Sequence, residues 1–593
     1  MTIYNAPLQE IDFLLNHVLD MNKISQLPGY EEATPDMVEA ILAEAARFFG
    51  EVLAPSNPLA DAEGSSLEGT TVITAPSLDG IYQQMVDAGW PSLAADPNYG
   101  GQGLPQVLSF AVDEMSQSAN MGFSLCPLLS RGVITALGKH GSEAQKQSVL
   151  PFLVSGEWTG TMNLTEPQAG TDLAAIRSKA VPKGDHYLIS GQKIFITWGD
   201  HEYTDNIIHL VLARTPDAPE GVKGISLFIV PKFIVNEDGS LGDRNDVYCV
   251  GVEHKLGIHS SPTCSLAFGD NGGAVGYLVG EENEGLVYMF SMMNHARLSV
   301  GLQAVGVSER SYQQAAEFAR ERIQGAVPGN HKAAIINHPD VRRMLMQMRS
   351  VTEGSRALAY CAMAHEDIAM KSMDAEEAAY HHRRVDLLTP LVKGWCTEHA
   401  METTSLGVQV HGGMGFIEET GAAQHMRDAR ILPIYEGTNG IQALDLVGRK
   451  IARDQGRAAT ELFDDWSTIL GETQAAGEQL SAIADALEAG IASCRSSLEV
   501  LLGGDGSQWD APGAAAYNIM MLLGTTAAGA LLAKSAVAAA RLNKAGEGNS
   551  SFNDNKITTA TFFALYIMPR NTAYLAAALA GPETVMAMDI AAL

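Results

Sequence analysis

The residues best suited to chemistry in this 593-residue chain lie in a few short stretches. In Tyr435-Glu436-Gly437-Thr438-Asn439 a carboxylate stands in a turn-forming context. Shielded from water, such a group becomes a base for a carbon-bound proton; in a surface loop it caps the next turn, and local sequence alone favours the cap. In Gln409-Val410-His411-Gly412-Gly413-Met414-Gly415-Phe416 the glycines let backbone approach a ligand, or close a helix with a tight turn. This is not a dinucleotide fingerprint, since it follows a helical pattern and lacks the last glycine of G-x-G-x-x-G. Arg322 ends a helical run, where a guanidinium can clamp a pyrophosphate or simply face solvent. Thr165 and Thr197 offer hydroxyl donors, or no more than strand ends. The six cysteines are scattered, without C-x-x-C spacing or a histidine cluster, so no metal site is expected and the thiols read as reduced.

Holding these groups takes several packed units, because the chain exceeds what one apolar core usually serves. Apolar residues recur at helical spacing over Asp36 to Phe49 and Gln106 to Gly141, so the first 160 residues are expected to be mainly helical. The period then changes, with strand-like runs at Tyr187 to Gly191, Asn206 to Ala213, Ile225 to Val230 and Cys264 to Phe268. Long helical patterns return over Leu286 to Gly325, Pro339 to Ser372 and Ala375 to Val410, predicting an antiparallel bundle. Beyond Ala443 the composition shifts to Ala, Gly and Ser, with helices expected over Ser481 to Leu502 and Ala514 to Leu542. Breaks are expected at Gly503-Gly504-Asp505-Gly506 and over Gly546 to Asp554. The predicted architecture is mainly α with a central β-domain: an N-terminal helical domain over 1–160, a middle β-domain over 161–280, a helical bundle with the Glu436 loop over 281–450, and a further helical tail domain over 451–593.

A formal charge of -30 argues against nucleic acid and anionic lipid surfaces, yet leaves room for a phosphate held locally by an Arg or a helix N-terminus. The first 21 residues carry no basic segment followed by an apolar core, and no run of about 18 apolar residues is visible, so a cytoplasmic protein without membrane insertion is expected. The 24 methionines read as core filler.

The ordered set Gly141-Ser142-Glu143 with Gln145-Lys146, Leu150-Pro151 with Gly156-Glu157-Trp158, Leu164 to Asp172, Lys193 to Thr197 and Tyr435 to Asn439 resembles the acyl-CoA dehydrogenase family over most of residues 80 to 450. The resemblance implies a helical N-terminal domain, a β-barrel-like middle domain and a C-terminal helical bundle. It implies FAD as cofactor, with Leu164, Thr165, Gly170, Thr171, Phe195, Thr197, Arg322, Gln324, Gln409, Gly413 and Thr438 as candidate contacts. Gly440 departs from the Gln or Glu that usually follows, and Gln442 is the candidate to compensate; Gly325 replaces the usual Phe after Gln324. On the substrate side the family implies Thr171, Asn294, Arg297 and Tyr435. Some branches carry the catalytic Glu on the helix of Asn294-His295-Ala296-Arg297, but no Glu occurs between Leu286 and Gln303, and His295 reads as a packing residue.

By the same resemblance Glu436 is the base that removes the α-proton of an acyl-CoA thioester, while the β-hydride goes to flavin N5. The whole-chain layout is similar to the branch that turns 3-(methylthio)propanoyl-CoA into 3-(methylthio)acryloyl-CoA; a short or medium straight-chain ester is the alternative. Electron-transfer flavoprotein is the expected acceptor, and a homodimer or homotetramer the expected assembly. An acyl-CoA oxidase shares the scaffold. A nitroalkane oxidase would need Asp in place of Glu436, and a non-catalytic flavin-fold scaffold is the reading from a different class.

Overall fold

The computed structural model describes residues 4–236, 238–503 and 510–593. Two compact units emerge: one holds Met1–Arg47, Pro105–Ser118 and Arg297–Leu593, the other Phe48–Leu104 and Ala119–Ala296.

The second unit is built on a sheet. Among the described residues eight strands join it, in the order Val247–Val252, Thr263–Phe268, His186–Thr197, Ala274–Leu278, Ser226–Pro231, Asn206–Ala213 and Trp158–Asn163, with Lys179–Lys183 also paired to His186–Thr197. All pairs are antiparallel except Trp158–Asn163 with Asn206–Ala213. Asn206–Ala213 is buried at every position. Its alternate side chains serve two apolar clusters: Ile208, Leu210 and Leu212 pack with Val133, Leu150 and Trp158, whereas Val211 and Ala213 pack with Ile189, Phe228 and Phe268. Burial on both faces explains why this strand reads as a continuous apolar run.

Helix Glu143–Ser155 begins in a capping box, Ser142 accepting from the Gln145 amide and Gln145 answering to the Ser142 amide. Gln145 Nε2 also donates to the Leu278 carbonyl at 2.7 Å. The Gly141 to Lys146 motif is thus a helix start stapled to a strand.

In the first unit α1 (Gly285–Glu321, of which Arg297 onward belongs here) is followed by α2 (Pro339–Lys371), α3 (Ala375–His411), α4 (Asn439–Asp445) and α5 (Asp510–Ala545). Glycines let these helices approach closely. A Cβ added at Gly394 of α3 would lie 2.2 Å from Met520 Sδ of α5, and one at Gly524 of α5 would lie 2.5 Å from Trp395 Cγ of α3. Trp395 Nε1 donates to Thr525 Oγ1 at 3.0 Å, so each helix fills a notch in the other. The tail is held a second time by buried Lys556, whose Nζ lies 2.6 Å from Glu10 Oε1 and 2.7 Å from Glu353 Oε2.

Two expectations need correction, those over Gln106 to Gly141 and Gly546 to Asp554, and two gain detail. The pattern from Gln106 to Gly141 is two helices, Gln106–Ala119 and Met121–His140, because Asn120 leaves the helical conformation and its side chain accepts from the Phe123 amide. The stretch before residue 160 contains strands Ser66–Glu68, Thr71–Ile73 and the start of Trp158–Asn163, too short to show a period. The break over Gly546 to Asp554 ends early, since Asn549 caps a helix over Ser550–Phe562. Among the described residues two helices, within Met121–His140 and Pro512–Ala545, are long and apolar enough to cross a bilayer, although scattered Gly, Ser and Thr hide them from a search for unbroken apolar runs; 72% and 94% of their apolar 18-residue windows is buried inside the fold. Residues 504–506 of the expected break at Gly503 to Gly506 lie outside the described residues.

Candidate active site

In the first unit the loop from Pro433 to Thr438 is closed at its neck by the Asn439 amide, which donates to the Pro433 carbonyl at 3.0 Å. Glu436 stands within this loop with φ +57, a left-handed conformation costly for a residue with a Cβ, and Gly437 follows at φ +86. The strained turn is gripped through its carbonyls. Arg297 Nε donates to the Glu436 carbonyl at 3.4 Å, and Gln442 Nε2 donates to those of Glu436 and Gly437 at 3.2 and 3.3 Å. A Cβ at Gly437 would lie 2.9 Å from Gln442 Nε2, so the grip requires glycine as well as the backbone angle.

The ordinary role of a loop carboxylate is taken by a neighbour: Thr438 caps α4, its hydroxyl accepting from the Ile441 amide at 3.3 Å. Neither the carboxylate nor the amide N–H of Glu436 has a hydrogen-bond partner among the described residues. Burial drives the proton affinity of Glu436 above the usual carboxylate range, and the cations of Arg297 and Lys393 only partly oppose it. Arg297 is buried and paired with Asp445, NH1 to Oδ2 at 3.6 Å. The Tyr435 hydroxyl donates to the Gln303 side chain.

One residue overlooked in the sequence belongs here, tied to Asn439 at the end of the quoted motif. Lys393 of α3 is fully buried and donates to Asn439 Oδ1 at 2.8 Å. Asn439 in turn donates to Thr397 Oγ1 at 2.9 Å and Glu398 Oε1 at 2.8 Å. A lone lysine in a helical pattern reads as solvated; the signal available was its setting, Pro390-Leu391-Val392-Lys393-Gly394-Trp395, which offers no polar face.

Also in this unit, Arg322 and Gln324 are exposed just past the end of α1, and the Arg322 guanidinium has no partner among the described residues. Gly325 turns the chain at φ +76, and a side chain there would meet the His338 ring at 3.2 Å; the missing Phe is thus replaced by a tight turn. The His338 ring meets the Gln324 carbonyl at 2.8 Å. Gln409 is exposed near the end of α3, and Gly412 and Gly413 follow. Both segments rest on one apolar cluster that includes Ala315, Ala319, Ile335 and Val410. The three glycines do different work. A Cβ at Gly415 would lie 2.3 Å from the Val408 carbonyl oxygen, whereas one at Gly412 or Gly413 would meet nothing within 4 Å.

In the second unit Leu164 and Thr165 follow strand Trp158–Asn163, and Phe195 and Thr197 lie at the end of His186–Thr197. The two segments are joined by Ile194 N–H donating to the Thr165 carbonyl at 2.9 Å, and by Lys193 Nζ, 3.1 Å from the Leu164 carbonyl and 2.9 Å from Glu166 Oε1. Burial pushes Glu166 up, but Lys193 and the Ser178 and Arg177 amides outweigh it and hold the carboxyl at about 2; burial holds Lys193 down at about 8 against the pull of Glu166. This pair is the scaffold beneath the two threonines. Phe195 presents its ring to the outside, 58% exposed, from a left-handed φ of +59. Gly170 and Thr171 are exposed, with open space where a Gly170 side chain would stand. Asn294 is half-buried, and neighbouring His295 is held at about 4 by burial with Arg131 and Lys139 nearby, so it stays neutral.

In the second unit the exposed Phe195 ring and the open space before Gly170 suit a planar cofactor group. In the first unit the exposed Arg322 and the open space before Gly412 and Gly413 suit a phosphate-bearing arm, and Gln442 Oε1 is buried with no hydrogen-bond partner among the described residues. No group of three or more His, Cys, Asp or Glu able to hold a metal occurs among the described residues.

Comparison with known proteins agrees with the geometry. The family models for the acyl-CoA dehydrogenase N-terminal, middle and C-terminal domains match residues 35–157, 161–271 and 283–451, and the acetyl-CoA dehydrogenase C-terminal-like model matches 463–589. The chain is 48% identical to the 3-methylmercaptopropionyl-CoA dehydrogenase of Ruegeria pomeroyi, over 95% of this chain and 96% of that one. It is 34% identical to the broad-specificity linear acyl-CoA dehydrogenase FadE5 of Mycobacterium tuberculosis, over 96% of each. The solved structure of an acyl-CoA dehydrogenase complexed with FAD from Bacillus anthracis shares the fold at a TM-score of 0.75 and 21% identity, covering 96% of this chain and 91% of that one. The chain belongs to the acyl-CoA dehydrogenase family, whose members are oxidoreductases.

Proposed function

We propose that this chain desaturates an acyl-CoA thioester between Cα and Cβ, with Glu436 as the base, and that the preferred ester is 3-(methylthio)propanoyl-CoA. One observation carries the chemistry: an unpaired carboxylate with raised proton affinity, on a left-handed loop whose carbonyls are clamped by Arg297 and Gln442. The clamp leaves the Glu436 amide N–H free to donate to a thioester oxygen, which would acidify the α-proton beside the carboxylate. An apolar acyl chain excludes the remaining water, raising the basicity of Glu436 at the moment of transfer. FAD, when bound, supplies the acceptor for the β-hydride. Thr165, Thr197, Leu164 and Phe195 would hold its ring, and Arg322, Gln324, Gln409, Gly413, Thr438 and Gln442 its remaining polar parts. Gly170 leaves room for the cofactor's approach. Thr171, Asn294, Arg297 and Tyr435 would serve the substrate.

The methylthio ester rests on the 48% identity over nearly the whole of both chains, methylmercapto and methylthio being one group. The tail does not by itself select it, since the linear-chain FadE5 is matched over the same length. Electron-transfer flavoprotein is the proposed acceptor, a homodimer or homotetramer the proposed assembly, and the cytoplasm the proposed location.

The test is anaerobic bleaching of the purified flavoprotein by 3-(methylthio)propanoyl-, butanoyl-, octanoyl- and palmitoyl-CoA. Fastest bleaching by the methylthio ester is expected. Preference for a straight chain would keep the desaturation and discard the sulfur substrate, and no bleaching by any ester would overturn both. Peroxide formed under air would identify an oxidase.

A further inference from the structure

Tied to the neck of the Glu436 loop is a buried cation that the desaturation itself does not use. Lys393 is 0% exposed, inside the bundle on α3, and among the described residues the one hydrogen bond of its ammonium is to Asn439 Oδ1 at 2.8 Å. Asn439 closes the neck of the Glu436 loop through its own amide to the Pro433 carbonyl, and its side chain is held on every side. Thr397 Oγ1 donates to Asn439 Oδ1 at 3.2 Å, while Asn439 Nδ2 donates to Glu398 Oε1 at 2.8 Å and the Gly394 carbonyl at 3.3 Å. Glycine at 394 is needed for the approach of Met520 from α5, so this stretch of α3 cannot shift sideways. The neck of the loop is thereby bolted to the bundle core by one cation and one amide.

A buried ammonium is costly, and hydrophobic residues of similar size usually serve a core better. A chain that keeps one tied to the loop of an unpaired carboxylate gains something other than packing. The charged and titratable groups facing Glu436 are Arg297 from α1, Lys393 from α3, and Tyr435 beside it in the loop; Glu398, Asp445 and Arg449 face the two cations in turn. Arg297 spends its charge on Asp445, leaving Lys393 as the cation whose single bonded partner is neutral.

We propose that Lys393 is a positioning residue for Glu436: through Asn439 it fixes the neck of the base loop, and its buried charge keeps the carboxylate ionised and ready to accept a proton. The inference deepens the dehydrogenase reading and rests on it for the name of the reaction. Burial holds Lys393 down at about 7, so the supporting charge itself weakens near neutrality and the base is more proton-hungry above that point.

The experiment separates the two roles in the FAD-loaded protein. Lys393→Met removes bond and charge, Lys393→Gln keeps a donor for Asn439 without charge, Lys393→Arg keeps the charge, and Asn439→Ala cuts the side-chain tie between the neck and α3 while leaving the cation and the backbone bond to Pro433. The readout is the titration midpoint of the Glu436 carboxyl, taken from infrared difference spectra against Glu436→Gln without substrate, alongside kcat and KM. The midpoint is expected to rise by about half a pH unit or more in the Met and Gln variants and to stay near the parent value in Arg. Asn439→Ala should lower kcat with an unmoved midpoint. An unmoved midpoint in Gln, with kcat intact, overturns the proposal; should the Met variant not fold, Gln against Arg decides. A parent protein that no thioester bleaches overturns the dehydrogenase reading instead, and the carboxyl titration still judges Lys393.

Discussion

The Arg297 guanidinium joins two pieces of the site, its Nε donating to the Glu436 carbonyl oxygen at 3.4 Å while NH1 lies 3.6 Å from Asp445 Oδ2. One planar group thus ties the base loop to the end of the helix that follows. A lysine could satisfy one of these partners and not both. Arg297→Lys is expected to lower kcat about ten- to thirtyfold, equivalent to roughly 1.5–2 kcal/mol, with FAD content unchanged. Steady-state kinetics with the preferred ester checks it, and near-parent turnover would show that Gln442 and the Asn439 neck hold the loop without Arg297.

Glu436→Gln preserves the shape of the side chain and removes its basicity. Turnover should fall by at least about 10² to 10⁴ while the flavin spectrum and the thermal midpoint stay close to the parent's. Stopped-flow bleaching is the sensitive measure, and substantial residual turnover would locate the base elsewhere.

The pH profile follows from the same carboxylate. Glu436 must be ionised to accept a proton, and its burial places the folded-state pKa above 4.5. Activity is therefore expected to be fully present well above that raised value and lost as pH falls through it. The acid limb of kcat/KM for the free enzyme should lie above the ordinary carboxylate range. A limb at or below 4.5 would contradict the burial of the base.

Stability has its own acidic dependence through Glu166. Its folded pKa of about 2 lies below 4.5, so the stabilisation is present above 4.5 and drains away as pH falls towards 2. Glu166→Gln removes the charged partner of a buried pair and leaves Lys193 with only neutral acceptors such as the Leu164 carbonyl. A loss of about 3–5 kcal/mol is expected in urea unfolding, larger than for a surface carboxylate. A loss under about 1 kcal/mol would mean that Lys193 finds another acceptor or sheds its proton.

The glycines near the end of α3 separate folding from cofactor uptake. Gly413→Val places a side chain in open space, so the protein should fold and take up FAD poorly, visible as a colourless preparation. Gly415→Ala drives a methyl group to 2.3 Å from the Val408 carbonyl oxygen and should fail at folding instead.

How much of this was legible beforehand depended on the range of the interaction. Helices longer than about thirty residues announce themselves by period, and α2 and α3 lie within a residue or so of the expected bounds. The two-residue separation between Thr438 and Glu436 was also local, and the family motif made the carboxylate conspicuous. Asn120 escaped because one capping residue interrupts a pattern without altering its average hydropathy. Lys393 escaped for a different reason: its partner Asn439 is 46 positions away, and no local spacing reports a contact of that separation. The same limit hid the pairing of Arg297 with Asp445 and the split of the chain into discontinuous units.

The reciprocal notches at Gly394 and Gly524 bear on how such a chain could change over time. Each helix has given up a side chain to admit the other's Trp395 or Met520, so neither can regain one while the partner stays. Removing the tail would bare an indole and leave grooves in the helix that carries Lys393, one residue from the ammonium that steadies the base. A tail acquired in this way works as a ratchet: easy to elaborate afterwards, hard to discard.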